Sequence, residues 1–186
     1  ADPDAHPYAI WDKVAEGIGN FQALDEIEIA NFGDGEEALA PNWEILACIL
    51  RRLRRRVKLF MQNHTRSLWD AETLPAFAGV ISGHAMIESF STDCGFHVDC
   101  LDILCSALLT LPALERISFD HFVRQGPEEG QSLESMVMLL QSPTLREVKF
   151  RYVAFTDTVC QAIANALEER SAITDLHFNT CSFTVG

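Results

Sequence analysis

A chain of 186 residues with 48% hydrophobic residues and 12 phenylalanines is long and apolar enough for one folded domain, which argues against disorder. The net charge of −13 argues against nucleic-acid or anionic-membrane binding, because the long-range field repels phosphate. No apolar run approaches the roughly 20 residues that span a bilayer, so no membrane insertion is expected.

The chain begins with a segment in which apolar residues recur at helical spacing. Trp11, Val14, Ala15 and Ile18 predict a helix before the first strand. We therefore assign residues 1–23 as an N-terminal helical cap and residues 24–186 as the body of the domain.

The body repeats one loose phrase, L-x-x-L-x-F-x-x-C, at intervals of about 30 residues. In each phrase the apolar residues at offsets 0, 3 and 5 from its first residue predict a short strand with one buried side. A degenerate copy places Val57 and Leu59 in the phase set by Arg54. At offset 8, a cysteine such as Cys181 is expected to bond to neighbouring backbone. The five clearer copies begin at Leu24, Ile87, Leu114, Leu145 and Ile173.

Amphipathic helices are predicted between the phrases, because apolar residues there recur at positions i, i+3, i+4 and i+7. Pro75, Gly79 and Gly83 interrupt one of these segments, so a helix is expected there only over Ala76–His84. The other stripes are Ile45, Leu46, Ile49, Leu50 and Leu53; Leu101, Leu104, Cys105 and Leu108; Leu133, Met136, Val137 and Leu140; and Val159, Ile163, Ala166 and Leu167.

The alternation of strand and helix at this period predicts an α/β solenoid. Its strands are expected to form a parallel sheet, and its crossovers are expected to be right-handed. Helices are wider than strands, so the stack should curve. The parallel sheet then lies on the concave side and the helices lie on the convex side.

This pattern resembles the leucine-rich repeats of the ribonuclease-inhibitor type, which combine a strand and a full helix in each unit. The resemblance covers most of residues 20–186 and is most specific in the last three units. It implies a horseshoe segment of about six repeats that binds proteins, with no catalytic residue. Because Phe178, Cys181 and Phe183 lack a following unit, we expect the array to be incomplete at its C-terminus.

The concave face is expected to carry the strand residues that alternate with the buried ones. Tyrosine and arginine are typical interface anchors, and both occur there. The cluster is interpreted as a protein-binding site or, alternatively, as a solvated sheet face with ion pairs such as Asp120 with Arg151. Its members are Asp120, His121, Lys149, Arg151, Tyr152, His177 and Asn179.

A basic patch opposes the acidic character of the chain and holds six of its 14 basic residues. It falls where a helix should end, and cations there complement the helix dipole. A nuclear localisation signal and a site for an acidic partner are the alternatives. The patch consists of Arg51, Arg52, Arg54, Arg55, Arg56 and Lys58.

No metal or cofactor site and no enzymatic activity are predicted. The metal-capable residues Cys94, His97, Cys100 and Cys105 lack the paired cysteine spacing of zinc sites. The acidic segment Gly33–Glu37 lacks the alternating oxygen ligands of a calcium loop. Phosphate-binding, metalloprotease and serine-hydrolase motifs are absent from the sequence.

We therefore expect a non-enzymatic protein–protein interaction module. The alternatives are a structural subunit of a larger complex, or the specificity or regulatory region of a larger protein such as a ubiquitin-ligase substrate receptor or a GTPase activator. Six scattered cysteines are interpreted as reduced thiols of an intracellular, cytoplasmic protein. The nucleus follows if the basic patch is a targeting signal, and the glycosylation sequon at Asn63 keeps secretion open.

Overall fold

The computed structural model describes residues 17, 24–31, 43–63, 73–93, 96–97, 100–120, 122–123, 134–155 and 157–183. Apart from the helical Gly17, the predicted N-terminal cap lies outside these residues. The described helices are α1 (Trp43–Arg52), α2 (Thr73–Ile81), α3 (Leu101–Leu109), α4 (Glu134–Leu140) and α5 (Asp157–Arg170). The longer strands are β1 (Glu26–Asn31), β2 (Val57–Asn63), β3 (Ile87–Thr92), β5 (Arg116–Asp120), β7 (Glu147–Arg151) and β9 (Asp175–Asn179). Four strands of two residues follow some of them: β4 (Phe96–His97), β6 (Phe122–Val123), β8 (Ala154–Phe155) and β10 (Ser182–Phe183).

The six longer strands form one parallel sheet in the order β1-β2-β3-β5-β7-β9. Each strand therefore pairs with the next long strand of the chain, and each described helix packs against the next one. The predicted α/β fold with a six-stranded parallel sheet is confirmed. The sheet is not closed into a barrel, since β1 and β9 are its edges.

The short strands were not predicted from the sequence. They pair in parallel as β4 with β6 and β8 with β10, which adds two separate two-stranded sheets to the main sheet. Two residues of alternating character are too few for a periodicity signal, so their pattern is lost among turn residues.

The helix predictions hold in four segments and need correction in one. In α3 all four residues of the predicted stripe are buried. Leu133 of the α4 stripe lies outside the described residues. Helix α2 begins at Thr73, three residues before the predicted Ala76, and ends at Ile81 rather than His84. Pro75 is tolerated because it lies in the first turn, where its missing N–H has no intrahelical acceptor.

One face of the sheet is buried beneath the helices. In β5 the residues Ile117 and Phe119 are buried, and in β7 the equivalent residues Val148 and Phe150 are buried. They belong to one apolar cluster with helix residues such as Leu108. We call this side of the sheet the covered face and the opposite side the open face.

The second repeat lies two residues out of the predicted phase. Leu59 pairs with Ile27 and with Phe90, which are both at offset 3. The repeat therefore begins at Arg56 and not at Arg54. The cause is the two-residue period of a strand, because a shift by two leaves the buried and exposed alternation unchanged.

Met61 occupies offset 5 of the corrected repeat, so it lies on the covered face, where it is buried. A register shift between Val57 and Lys58 marks the junction with β3. The apolar character of Met61 agrees with its buried position.

None of the helices in the described ranges combines the length and apolarity that crossing a bilayer requires.

Candidate protein interface on the open sheet face

The open face of β5, β7 and β9 collects most of the residues predicted for the concave site. Strand register places Asp120 beside Arg151 and Arg151 beside Asn179. The same register places Lys149 beside His177. His121 lies outside the described residues. Parallel in-register pairing thus aligns residues that are about 30 positions apart in sequence.

Asp120 and Arg151 form the ion pair considered from the sequence. The Nη1 atom of Arg151 lies 3.1 Å from Oδ2 of Asp120. Asp120 is only 4% exposed, whereas nearly half of the Arg151 side chain is exposed. Ser118 Oγ donates a longer hydrogen bond of 3.5 Å to Asp120 Oδ1. A buried carboxylate needs such partners, so this pair stabilises the surface locally.

Glu147 contacts two further basic side chains and was missing from the predicted site. Its Oε1 atom lies 2.5 Å from Nζ of Lys149 and 3.8 Å from Nε2 of His177. Because the side chains of Lys149 and His177 are both more than one-third exposed, water screens these contacts. They orient the side chains more than they stabilise the fold.

The residues at offset 2 form a further row on the open face that the cluster predicted from the sequence does not contain. Ser89, Arg116 and Glu147 occupy offset 2, and strand register aligns them. The period of two could have found them, since offset 2 has the same parity as offsets 4 and 6. Arg116 donates from Nη2 to Oε1 of Glu88, which fixes its guanidinium at the edge of the face.

Tyr152 is an exposed aromatic residue on a constrained backbone. Its φ of 54° lies in the left-handed region, which side chains other than glycine and asparagine seldom adopt. Its N–H donates to the carbonyl oxygen of Asn179 at 3.0 Å, which fixes this turn. The ring is 47% exposed, and the Arg151 guanidinium carbon lies 5.9 Å from the ring centroid. The constrained backbone thus places an exposed aromatic ring beside a cation.

These residues line an open groove of about 570 Å³. The groove runs over β3, β5, β7 and the start of the turn after β9. Its lining is largely polar and contains three cations and one carboxylate. The lining residues are Ser89, Ser91, Arg116, Ile117, Ser118, Glu147, Lys149, Arg151, Tyr152, Asn179 and Thr180.

The basic patch is divided among three structural elements. Arg51 and Arg52 lie in the last turn of α1, where the sequence predicted a helix end. Arg56 forms an ion pair of 2.8 Å with Glu115, two strands away. Lys58 pairs in register with Ser89, so its strand position belongs to the open face.

The cysteines in the described ranges are free thiols that are buried or partly buried. Of these five, Cys100 and Cys105 are buried in the core. Burial, together with the nearby negative charge of Asp102, raises the pKa of Cys105 far above its ordinary value. The Sγ atom of Cys181 donates to the carbonyl oxygen of Phe150 at 3.4 Å, which is the backbone bond expected at offset 8.

The metal-capable cluster that was considered from the sequence lies only partly in the described structure. Cys94 falls outside the described ranges. Within those ranges, no three histidine, cysteine, aspartate or glutamate residues come together as a metal site.

No protein-family model matches the sequence, and neither does any curated protein. Among solved structures, the chain is similar to one described as leiomodin-1 actin-binding site 2. The TM-score is 0.51 and the identity is 16%, over 88% of this chain and 91% of that chain. At this identity the likeness concerns the fold alone, because one fold hosts many functions.

Proposed function

We propose that this chain is a non-enzymatic protein-binding module built from leucine-rich repeats of the ribonuclease-inhibitor type. The observation that carries the proposal is the parallel sheet, in which six long strands pair in chain order and the covered face of β1 to β7 is buried while the opposite face is open. Parallel crossovers are right-handed in nearly all proteins, which supports the handedness of the proposed solenoid. Helices wider than strands supply its curvature.

The open face has the features of a recognition surface. It combines a groove of about 570 Å³ with an exposed tyrosine and an adjacent arginine, and these residue types dominate protein interfaces. Repeat stacks present such faces as extended binding surfaces. The name of the leiomodin structure describes an actin-binding site, which supports a protein as the class of partner here. It does not identify actin as the partner of this chain.

Photo-cross-linking from two opposite surfaces tests the proposal. A photoreactive amino acid replaces the exposed Asn179 at the groove or, as the matched control, Met138 on α4, which is 51% exposed. In native extract, Asn179 should give discrete protein adducts that excess unlabelled chain suppresses, and Met138 should give none of them. Adducts that form equally from both positions, or only from Met138, would contradict binding through the open face.

A structural subunit is the second candidate, and the edge strand β9 favours it. Phe178 lies on the covered side of β9 but is 42% exposed, so an apolar surface remains open at this end of the sheet. If the chain contacts other subunits of an assembly through the exposed edge at β9, Phe178→Glu should release it from its native complex. Lys149→Glu should leave that complex intact, and the reverse pattern would favour the groove.

A further inference from the structure

We infer that the groove on the open face accepts an acidic, extended segment of a partner protein, with an apolar residue beside its carboxylates. The inference deepens the proposed function and rests on it. The chemical class of the ligand is inferred from three features of the groove: its serine side chains, its cations and its charge.

Small hydroxyl side chains form the floor of the groove. Ser91 pairs in register with Ser118, and Ser89 lies two residues before Ser91 on the same face. Among the described residues, the hydroxyls of Ser89 and Ser91 have no hydrogen-bond partner. Short side chains let a peptide backbone approach the sheet, and free hydroxyls donate to its carbonyl groups or accept from its N–H groups.

Cations form the wall of the groove. Arg116, Lys149 and Arg151 line it together with one carboxylate, Glu147. Each of these cations already contacts one carboxylate of this chain: Arg116 contacts Glu88, Lys149 contacts Glu147 and Arg151 contacts Asp120. The carboxylate of Asp120, which holds Arg151, is buried and does not line the groove. A guanidinium has five N–H donors, so a single contact with Asp120 leaves most of the Arg151 donors available for a ligand carboxylate.

The groove differs in charge from the chain as a whole. The net charge is −13, so the protein as a whole repels an acidic peptide. At about 0.15 M salt the screening length is about 8 Å, and remote carboxylates then act weakly on a ligand inside the groove. The cations that line the groove therefore determine its preference for an acidic peptide. The acidic surface outside the groove repels such a peptide.

Tyr152 supplies the apolar contact of the site. Tyr152 lines the groove, and its left-handed backbone and the hydrogen bond from its N–H to Asn179 fix the backbone that carries the ring. A tyrosine side chain has only two χ angles, so it loses little conformational entropy when it binds. A leucine or similar residue among the glutamates of the ligand is the complementary group.

The span of the groove sets the length of the ligand. From β3 to β9 the distance is three strand spacings, or about 14 Å. An extended peptide covers this with about four to five residues. A peptide of about ten residues therefore crosses the groove and extends past both ends.

Fluorescence anisotropy with synthetic peptides tests the inference on the whole chain at about 0.15 M salt. The probe carries glutamates around one leucine, and matched probes carry glutamine or lysine in place of every glutamate. The glutamate peptide should bind about tenfold more tightly than the glutamine peptide, as expected for several exposed ion pairs. Equal affinities, or tighter binding of the lysine peptide, would overturn the inference.

Three variants locate the binding. Lys149→Gln should weaken the glutamate peptide about two- to fivefold, whereas Arg54→Gln, a charge loss in the basic patch, should leave it unchanged. Tyr152→Asn should weaken it about tenfold, because asparagine tolerates the left-handed backbone while the aromatic contact is lost. A loss with Arg54→Gln and none with Lys149→Gln would move the acidic-ligand site to the basic patch and contradict our inference.

The outcome is separable from the proposed function. If the peptides fail while Asn179 still gives specific protein adducts, the open face binds proteins but not acidic segments, and only the inference is wrong. If both fail, the proposed function is wrong as well.

Discussion

The strands β7 and β9 carry the same residue type at the same repeat position, yet their environments differ sharply. Phe150 in β7 is fully buried, whereas Phe178 in β9 is 42% exposed. Phe150 stacks on Phe119 and on Phe178 at centroid distances of 6.1 and 5.7 Å. Phe178 has this ladder on one side only, because β9 is an edge strand. Burial in this fold is therefore supplied by neighbouring repeats and not by a repeat alone.

The largest expected effect on stability comes from a substitution in the interior of the phenylalanine stack. Phe150→Ala should lower the free energy of unfolding by about 3–5 kcal/mol, since it removes a buried ring and leaves a cavity. The matched variant Phe178→Ala should cost only about 1–2 kcal/mol, because the ring is partly in water already. Urea denaturation of both variants measures the difference. Equal losses would show that the edge repeat is as well buried as the interior one.

A second pair of variants compares buried and exposed ion pairs on β7. Arg151→Met should cost about 1–3 kcal/mol, because it removes the cation beside the buried Asp120 carboxylate. Lys149→Met should cost less than about 1 kcal/mol, since its partner Glu147 is partly exposed to water. Thermal unfolding at pH 7 compares them. A larger loss for Lys149→Met would contradict our assignment of Asp120 as the buried member.

The turn after β9 offers a smaller gain in stability. Thr180 has a φ of 53°, and a β-branched residue is strained in this region. Thr180→Gly should therefore raise the free energy of unfolding by about 1 kcal/mol. The neighbouring Asn179→Gly should lower it by about 0.5–1 kcal/mol, since its backbone lies in a strand. If Thr180→Gly destabilises the chain, the strain at this edge is absent.

The smallest expected effect is a loss of stability at acidic pH that involves His84, which lies between α2 and β3. Burial lowers the pKa of His84 below 6.5, and a hydrogen bond to the Leu50 backbone opposes this shift. The folded state then binds fewer protons than the unfolded state, so stability is complete above pH 6.5 and declines as the pH falls through the lowered pKa. His84→Gln should flatten this decline in urea midpoints between about pH 7 and 5. At pH 8, where His84 is neutral in both states, the urea midpoint of His84→Gln measures any loss of packing separately from the pH effect. A pH profile equal to that of the original chain would contradict the role of His84.

The contrast between repeats also explains what the sequence could reveal. Alternation of apolar residues predicted the six parallel strands and the face of Lys149, Arg151 and Asn179, because side chains in a strand follow a period of two. The same period could not reveal that the second repeat begins at Arg56, since a shift by two preserves it. Neighbouring register, which depends on long-range pairing, decides that phase.

The details of the candidate site depended on geometry that the sequence does not encode locally. Glu147 joins Lys149 and His177 through side-chain rotamers, and Tyr152 owes its position to a left-handed backbone. Tyrosine is not a residue type that signals such a conformation, unlike glycine or asparagine. The burial of Asp120 likewise depends on packing across neighbouring strands.

We propose that the covered face stabilises the stack of repeats while the open face binds the partner. The most direct test measures two properties of the Tyr152→Asn variant: its affinity for the protein that cross-links at Asn179, and its urea midpoint. We expect affinity to fall about tenfold while the midpoint stays equal or rises. Unchanged affinity, or a fall that merely accompanies a lower midpoint, would contradict it.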